Sequence, residues 1–158
     1  MKDPDIAIVA TQHPSLDDMF SDFLAELRAE PRYFGPTGRS NPKPFPSLIE
    51  GLADHGEIRL AALGCDRVVG ACRVDAQGDV LLAVTRGRRR QGIGTALLLA
   101  VVERAAHEGW TRLTIRASHR STAIRKVAER LGAVAVEVGR GQVEMLLDVD
   151  VVAARASA

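Results

Sequence analysis

One segment joins an apolar strand, a loop rich in glycine and arginine, and an apolar helix, and it reads DVLLAVTRGRRRQGIGTALLLAVVERA from Asp79 to Ala105. A strand–loop–helix unit of this kind requires a sheet with helices packed on it. Glycines allow the backbone to approach a ligand closely, and the first turn of a helix presents N–H groups with partial positive charge. The segment therefore indicates a site for a phosphate-bearing ligand. The alternative is a loop whose arginines are only solvated.

Two common phosphate-binding motifs do not match this loop. A P-loop requires Lys directly after its second glycine, and counted from Gly87 that position is Ile93. A dinucleotide fingerprint that starts at Gly92 requires Gly or Ala at position 97, which is Leu97. A third pattern, Gln/Arg-x-x-Gly-x-Gly/Ala between a strand and a helix, is filled completely by Arg89, Arg90, Gln91, Gly92, Ile93 and Gly94, with Thr95 next.

The composition is that of a soluble globular protein. The chain has 158 residues, 46% hydrophobic and 26% charged, which suits one domain over 1–150 and a flexible tail over 151–158. The net charge is only +1, so we expect no nucleic-acid partner. The apolar run 96–102 is too short for a bilayer and the N-terminus lacks a secretory signal, so we expect no membrane partner and a cytoplasmic location. Neither the two cysteines nor the four histidines are spaced as metal ligands.

Hydrophobic periodicity predicts the element order β-α-α-β-β-β-α-β-α-β-β. Ser15 is the predicted cap of the first helix, and a loop rich in proline and aromatic residues, 31–46, follows that helix as a candidate wall of a ligand site. Ser121 caps the last predicted helix and Gly132 ends it. The order predicts an α/β (α+β) fold, with a mixed, mostly antiparallel sheet of about six to seven strands and helices on both faces.

The loop and its flanks resemble the GNAT superfamily of N-acetyltransferases, over about 57–149 and most densely from Val80 to Gly132. In that superfamily the loop holds the pyrophosphate of acetyl-CoA, and a bulge parts the fourth strand from the fifth so that the pantetheine arm lies between them. The resemblance implies that the backbone at Leu82, Ala83 and Val84 binds the pantetheine amides and polarises the acetyl carbonyl. It implies cofactor contacts from Arg89, Arg90, Gln91, Gly92, Ile93, Gly94, Thr95 and Ser121.

The segment STAIRKVAERLGA resembles the helix of the superfamily that carries Asn-x-x-(Ala/Ser) and then Leu-Gly-Phe, but it departs from the pattern twice. Ser121 stands where Asn is usual, and Ala128 stands where many members carry a tyrosine, the usual general acid for the departing thiolate. Water, or a proton relay through Ser121, is the implied substitute. Ser121 acting only as a helix cap is the alternative.

Within the superfamily the pattern is most similar to the bacterial Pat-type protein lysine acetyltransferases. Asp79, five residues before Val84, stands where their glutamate stands. An acceptor amine is mostly protonated near neutral pH, so transfer requires a base, and Asp79 is the candidate. The alternative is that Asp79 only opens a hairpin after Gln77. His119, which precedes the last predicted helix, is the other candidate base.

These features predict an acetyl-CoA-dependent N-acetyltransferase that acts on a primary amine, either a protein lysine or a small molecule. No nucleophile motif for covalent catalysis is present, so direct attack in a ternary complex is expected. A non-catalytic acyl-CoA-binding sensor is the alternative, because the loop pattern is complete while the usual Asn and Tyr are missing. A homodimer is common in the superfamily.

Overall fold

The computed structural model describes residues 6–11, 16–29, 50–54, 56–88, 92–118, 122–139 and 142–157. Seven strands run through these ranges: β1 Ile6–Ala10, β2 Ile58–Gly64, β3 Arg67–Val74, β4 Asp79–Val84, β5 Arg112–Ser118, β6 Val134–Gly139 and β7 Gln142–Asp148. The helices are α1 Asp17–Arg28, α2 Ile93–His107, α3 Thr122–Arg130 and α4 Val149–Ser157. A short helical segment covers 50–53, and a 3-10 turn covers Arg86–Arg88.

The strands form one sheet in the order β1-β2-β3-β4-β5-β7-β6. Strands β4 and β5 are parallel, and the other neighbours are antiparallel. A parallel pair needs a long crossover connection, and α2 lies in the crossover between β4 and β5. The predicted fold class, a mixed and mostly antiparallel sheet with helices on both faces, is confirmed.

Alternate side chains of β4 contribute to two separate cores. Val80 and Leu82 pack in the core beneath α2, whereas Leu81 and Ala83 face the core beneath α1. We call these two sides of the sheet the α2 face and the α1 face. The first core is closed by the fully buried α2 side chains Leu97, Leu98, Val101 and Val102, and the second by the α1 side chains Phe20, Phe23, Leu24 and Leu27.

The two ends of the chain differ from the sequence-based expectation. A flexible tail was expected over 151–158, but the chain continues as α4 to Ser157, and Val152 is only 4% exposed within the core of the α2 face. Val149 and Val152 are three residues apart, which is a helical spacing, but the segment is too short to signal its own docking. The N-cap of α1 is Leu16 rather than Ser15, which lies outside the described residues.

The proline-aromatic loop 31–46 also lies outside the described residues. None of the helices in the described part of the chain is long and apolar enough to cross a membrane.

Candidate active site

Strands β4 and β5 pair over two residues and then part. Their register joins Asp79 to Thr114 and Val80 to Ile115. Strand β4 stays with β3 as far as the pair of Val84 with Gly70, while β5 stays with β7 as far as Ser118. A gap therefore opens beside the second half of β4. The β3–β4 ladder runs through this region without a register shift, so the expected bulge does not part the strands; each follows its other neighbour.

The hydrogen-bond phase of β4 decides which backbone groups face this gap. Asp75 N–H donates to the Asp79 carbonyl at 3.1 Å, and Thr85 N–H donates to the Val69 carbonyl at 2.8 Å. Hydrogen-bonded pairs alternate along an antiparallel ladder, so the backbone of Ala83 is also directed to β3. Leu82 and Val84 direct their backbone groups the other way, to the gap. Of the three residues expected to bind a ligand through their amides, Ala83 is thus turned away.

The N-terminus of α2 is built to receive an anion. Its N-cap is Gly92, with φ 80° and ψ 5°, a left-handed conformation that only glycine adopts without strain. No side chain of the described residues caps it, and Ala96 N–H donates to the Gly92 carbonyl at 3.0 Å. The N–H groups of Ile93, Gly94 and Thr95 have no acceptor within the helix. They form a site of partial positive charge that suits a phosphate.

The helix N-terminus and the gap adjoin. A Cβ placed on Gly94 would lie 3.8 Å from a Leu82 methyl and 3.9 Å from a Val84 methyl. It would also lie 3.7 Å from Val127 on α3. Beside Gly94, the Thr95 hydroxyl oxygen is buried with no hydrogen-bond partner among the described residues. A buried polar atom of this kind normally has a partner, so the site fits a ligand with hydrogen-bonding oxygens.

Gly70, which the sequence reasoning missed, sets the approach of α2 to the sheet. It lies opposite Val84 in the ladder, and a Cβ at this position would meet Leu97 at 2.9 Å and Ile93 at 3.3 Å. The Ala83 carbonyl would lie 3.2 Å away. A glycine inside a strand often marks such a close approach, and this was the available signal.

The arginine loop is described only in part. Arg89, Arg90 and Gln91 lie outside the described residues, as do Ser121 and His119. Arg88 is described, and its guanidinium lies against the β2–β3 turn, where a Cβ on Gly64 would be 3.0 Å from Nη2. Arg88 is therefore directed to that turn.

Asp79 lies at the closed end of the gap, half-buried, beside Thr114. Its N–H donates to the Asp75 carboxylate at 3.0 Å, which is the geometry of a hairpin turn. Its position in the strand places it on the α1 face with Leu81. Because Leu82 is three residues further on, the two are separated by roughly 10 Å along the strand. Asp79 therefore does not contact a group at the Leu82 amide directly, and proton transfer between them passes through water molecules.

Ala128, the residue at the position of the usual tyrosine, is fully buried in the core of the α2 face. Alanine has no hydroxyl, so this position supplies no general acid to the reaction. Within the described ranges, no three His, Cys, Asp or Glu side chains are close enough to hold a metal ion.

Two arginines on the α1 face were also missed. Arg59 is 7% exposed and the Arg73 side chain is 11% exposed. Both bond carbonyls of the 50–53 segment. The sequence did contain a signal for them. Side chains alternate between the two faces of a strand, and this alternation places each arginine on the same face as buried apolar residues.

The fold and this site define an α/β protein in which a helix N-terminus suited to a phosphate-bearing ligand lies beside a parted pair of strands. The model of the Acetyltransferase (GNAT) family matches residues 18–133, and the chain belongs to that family. Acetyl-CoA is the acyl donor of the family, as expected from the loop. Comparison with curated protein sequences gives no significant match.

Solved structures of the family share the fold. The ribosomal-protein-S18-alanine N-acetyltransferase from Escherichia coli is 14% identical, with a TM-score of 0.65 over 91% of this chain and 94% of that one. The GNAT domain of S. lividans PAT is 17% identical, with a TM-score of 0.64 over 90% and 89%. The protein yncA from Salmonella typhimurium, solved with its cofactor acetyl-CoA, is 14% identical, with a TM-score of 0.60 over 92% and 95%. At these identities the likeness establishes the fold.

Proposed function

We propose that this protein is an acetyl-CoA-dependent N-acetyltransferase that moves an acetyl group to a primary amine by direct attack in a ternary complex. One observation carries the proposal: the N-terminus of α2, which no side chain of the described residues caps, adjoins the gap toward which Leu82 and Val84 direct their backbone groups. The N-terminus of α2 is suited to a diphosphate, and the gap is suited to an amide-bearing arm that ends in a carbonyl.

Different residues bind the diphosphate and the arm of the donor. The N–H groups of Ile93, Gly94 and Thr95 and the Thr95 hydroxyl hold the diphosphate, and Arg89, Arg90 and Gln91 of the same loop add to this contact. The backbone of β4 at Leu82 and Val84 lies along the arm, and the Leu82 N–H donates to the acyl oxygen, whose negative charge grows as the amine attacks. When bound, acetyl-CoA supplies an activated acetyl group as a thioester.

Proton transfer is assigned to two residues. Asp79 accepts the amine proton through water molecules, since roughly 10 Å of strand separates it from Leu82. Ser121 relays a proton to the departing thiolate, in place of the tyrosine that Ala128 replaces. The carboxylate acts from the α1 face, so the amine approaches from that side, while the diphosphate of the donor is held on the α2 face.

A protein lysine is the first acceptor class that we propose. The loop pattern is most similar to the Pat-type branch, and the PAT domain from S. lividans is among the proteins with this fold. Small-molecule amines are the second class. A non-catalytic acyl-CoA sensor is a separate candidate function, favoured by the buried Ala128 at the position of the usual general acid.

Thiol release from acetyl-CoA, measured with a lysine peptide, spermidine, free amino acids and an aminoglycoside, tests the proposal. Release that depends on one of these amines supports the transferase and names the acceptor class. Calorimetric binding of coenzyme A without release from any amine favours the sensor. A chain that binds no coenzyme A contradicts both.

A further inference from the structure

Arg59 on β2 and Arg73 on β3 lie directly opposite each other on the α1 face of the sheet. Like charges at opposite positions of a ladder repel, and burial of a guanidinium adds the cost of losing its water. Burial lowers the pKa of Arg59 from its ordinary value, and the nearby Asp17 and Asp54 oppose this shift. The contacts of the two guanidinium groups must therefore offset both the repulsion between them and the loss of their water.

The contacts converge on one short segment. Arg59 Nη1 donates to the Leu52 carbonyl at 2.9 Å and to the Ala53 carbonyl at 3.0 Å, and Arg73 Nη1 donates to the Gly51 carbonyl at 2.6 Å. These are successive carbonyls at the end of the 50–53 helical segment. The last carbonyls of a helix lack partners within it and carry partial negative charge, so cations there are favourable.

Arg59 also ties this segment to two other elements. Its Nε donates to the Thr11 hydroxyl at 2.6 Å, just after β1, and its guanidinium carbon lies 4.1 Å from the centre of the Phe20 ring on α1. Arg73 lies 3.8 Å from the Asp75 carboxylate, which accepts from the Asp79 N–H at 3.0 Å. The pair thus links the 50–53 segment to the strand that carries Asp79.

The segment held in this way contacts β4 just before the gap. A Cβ on Gly51 would overlap the Leu81 side chain, so the segment lies directly on Leu81. Leu81 precedes Leu82, the first residue whose backbone faces the gap. The proposed diphosphate contacts lie at the N-terminus of α2, on the opposite face of the sheet, so the 50–53 segment lies on the side left for the amine.

We propose that Arg59 and Arg73 are positioning residues that hold the 50–53 segment on β4 and so shape the amine side of the site, without affecting the donor side. This rests on the proposed acetyl transfer. The arginines touch neither substrate; they act through the carbonyls of Gly51, Leu52 and Ala53.

The test compares Arg73→Ala and Arg73→Lys with Arg67→Ala, which removes an arginine of the same strand whose side chain is 69% exposed and 3.5 Å from Glu26. The first readout is hydrogen exchange of the 50–54 amides and of the α2 amides. We expect Arg73→Ala to speed exchange at 50–54 by about fivefold or more, with α2 unchanged. Arg73→Lys restores part of the protection, and Arg67→Ala matches the parent protein. Unchanged exchange at 50–54 in Arg73→Ala overturns the proposal.

The second readout is kinetic, with the lysine peptide as the amine, or whichever amine of the panel supports release. We expect Arg73→Ala to raise KM for the amine by about tenfold and to leave KM for acetyl-CoA within about twofold. Equal rises in both constants would mean a general loss of structure and would contradict the proposal. If Arg73→Ala does not fold, Arg59→Lys serves in its place, because it keeps the charge but has only one nitrogen with which to replace the Nε contact to Thr11 and the Nη1 contacts to the 50–53 segment.

The two proposals fail separately. If no amine of the panel is acetylated, the proposed transfer is wrong, while hydrogen exchange still decides whether the arginines hold the segment. If transfer occurs and the exchange of 50–54 is insensitive to Arg73, the positioning role is wrong and the transferase stands.

Discussion

Gly92→Ala is expected to weaken acetyl-CoA binding, because Gly92 has φ 80° at the N-cap of α2. An L-residue with a side chain in this left-handed conformation costs about 1–2 kcal/mol. Without ligand, the loop of the variant relaxes to a conformation that avoids this strain. Binding then requires the left-handed N-cap again, so the strain energy is subtracted from the binding free energy. Since 1.4 kcal/mol is tenfold in affinity, the expected rise in Kd is about 5- to 30-fold.

Isothermal titration with acetyl-CoA measures this change, and Gly87→Ala is the matched control. Gly87 belongs to the same loop, but a Cβ there would meet nothing within 4 Å, so the same substitution adds neither strain nor contact. Parent-like affinity in Gly87→Ala is expected. An unchanged Kd in Gly92→Ala would refute the view that the left-handed N-cap shapes the phosphate site. An equal loss in both variants would show that any added side chain disturbs the loop.

Three further predictions follow from described residues. Asp79→Asn removes the proposed base and is expected to lower kcat by about 100-fold with an unchanged Kd for acetyl-CoA; a kcat near that of the parent removes Asp79 from the mechanism. Gly70→Ala pushes against Leu97 and Ile93, so we expect the free energy of unfolding to fall by about 1–3 kcal/mol in urea titrations, and parent-like stability would mean that α2 can move. Burial raises the pKa of the Cys72 thiol, so as pH rises the unfolded chain loses this proton before the folded chain does. The free energy of unfolding should therefore fall above about pH 8.5, by at most ~1.4 kcal/mol per pH unit. A Cys72→Ala variant whose free energy of unfolding has the same slope with pH would contradict this.

Local patterns in the sequence predicted the local structure of the site well. The strand of Leu82, the loop with Gly92 and the helix of Leu97 were placed by alternation, glycine spacing and helical periodicity, all of which act over a few residues. The turn that follows α2 contains Gly109, and its φ of 84° explains the glycine. The fold class followed from the order of these elements.

Contacts between distant residues were not predictable in the same way. The sequence could not show that Leu82 and Val84 share one hydrogen-bond phase while Ala83 has the other, because the phase depends on the register with β3. Nor could it show that Arg59 and Arg73 are cross-strand neighbours, since they are joined only by pairing. The docking of α4 through Val152 likewise depends on the finished core.

The short pairing of β4 with β5 divides the described sheet into two antiparallel ribbons, one ending at β4 and the other beginning at β5. The ribbons are joined by two residue pairs between β4 and β5 and by α2, which connects these strands. The helix is anchored by Leu97, Leu98 and Val101, all fully buried. A donor lying in the gap would supply cross-links in addition to those two residue pairs. The ligand would then be a structural member of the molecule, bridging its halves as a missing strand would.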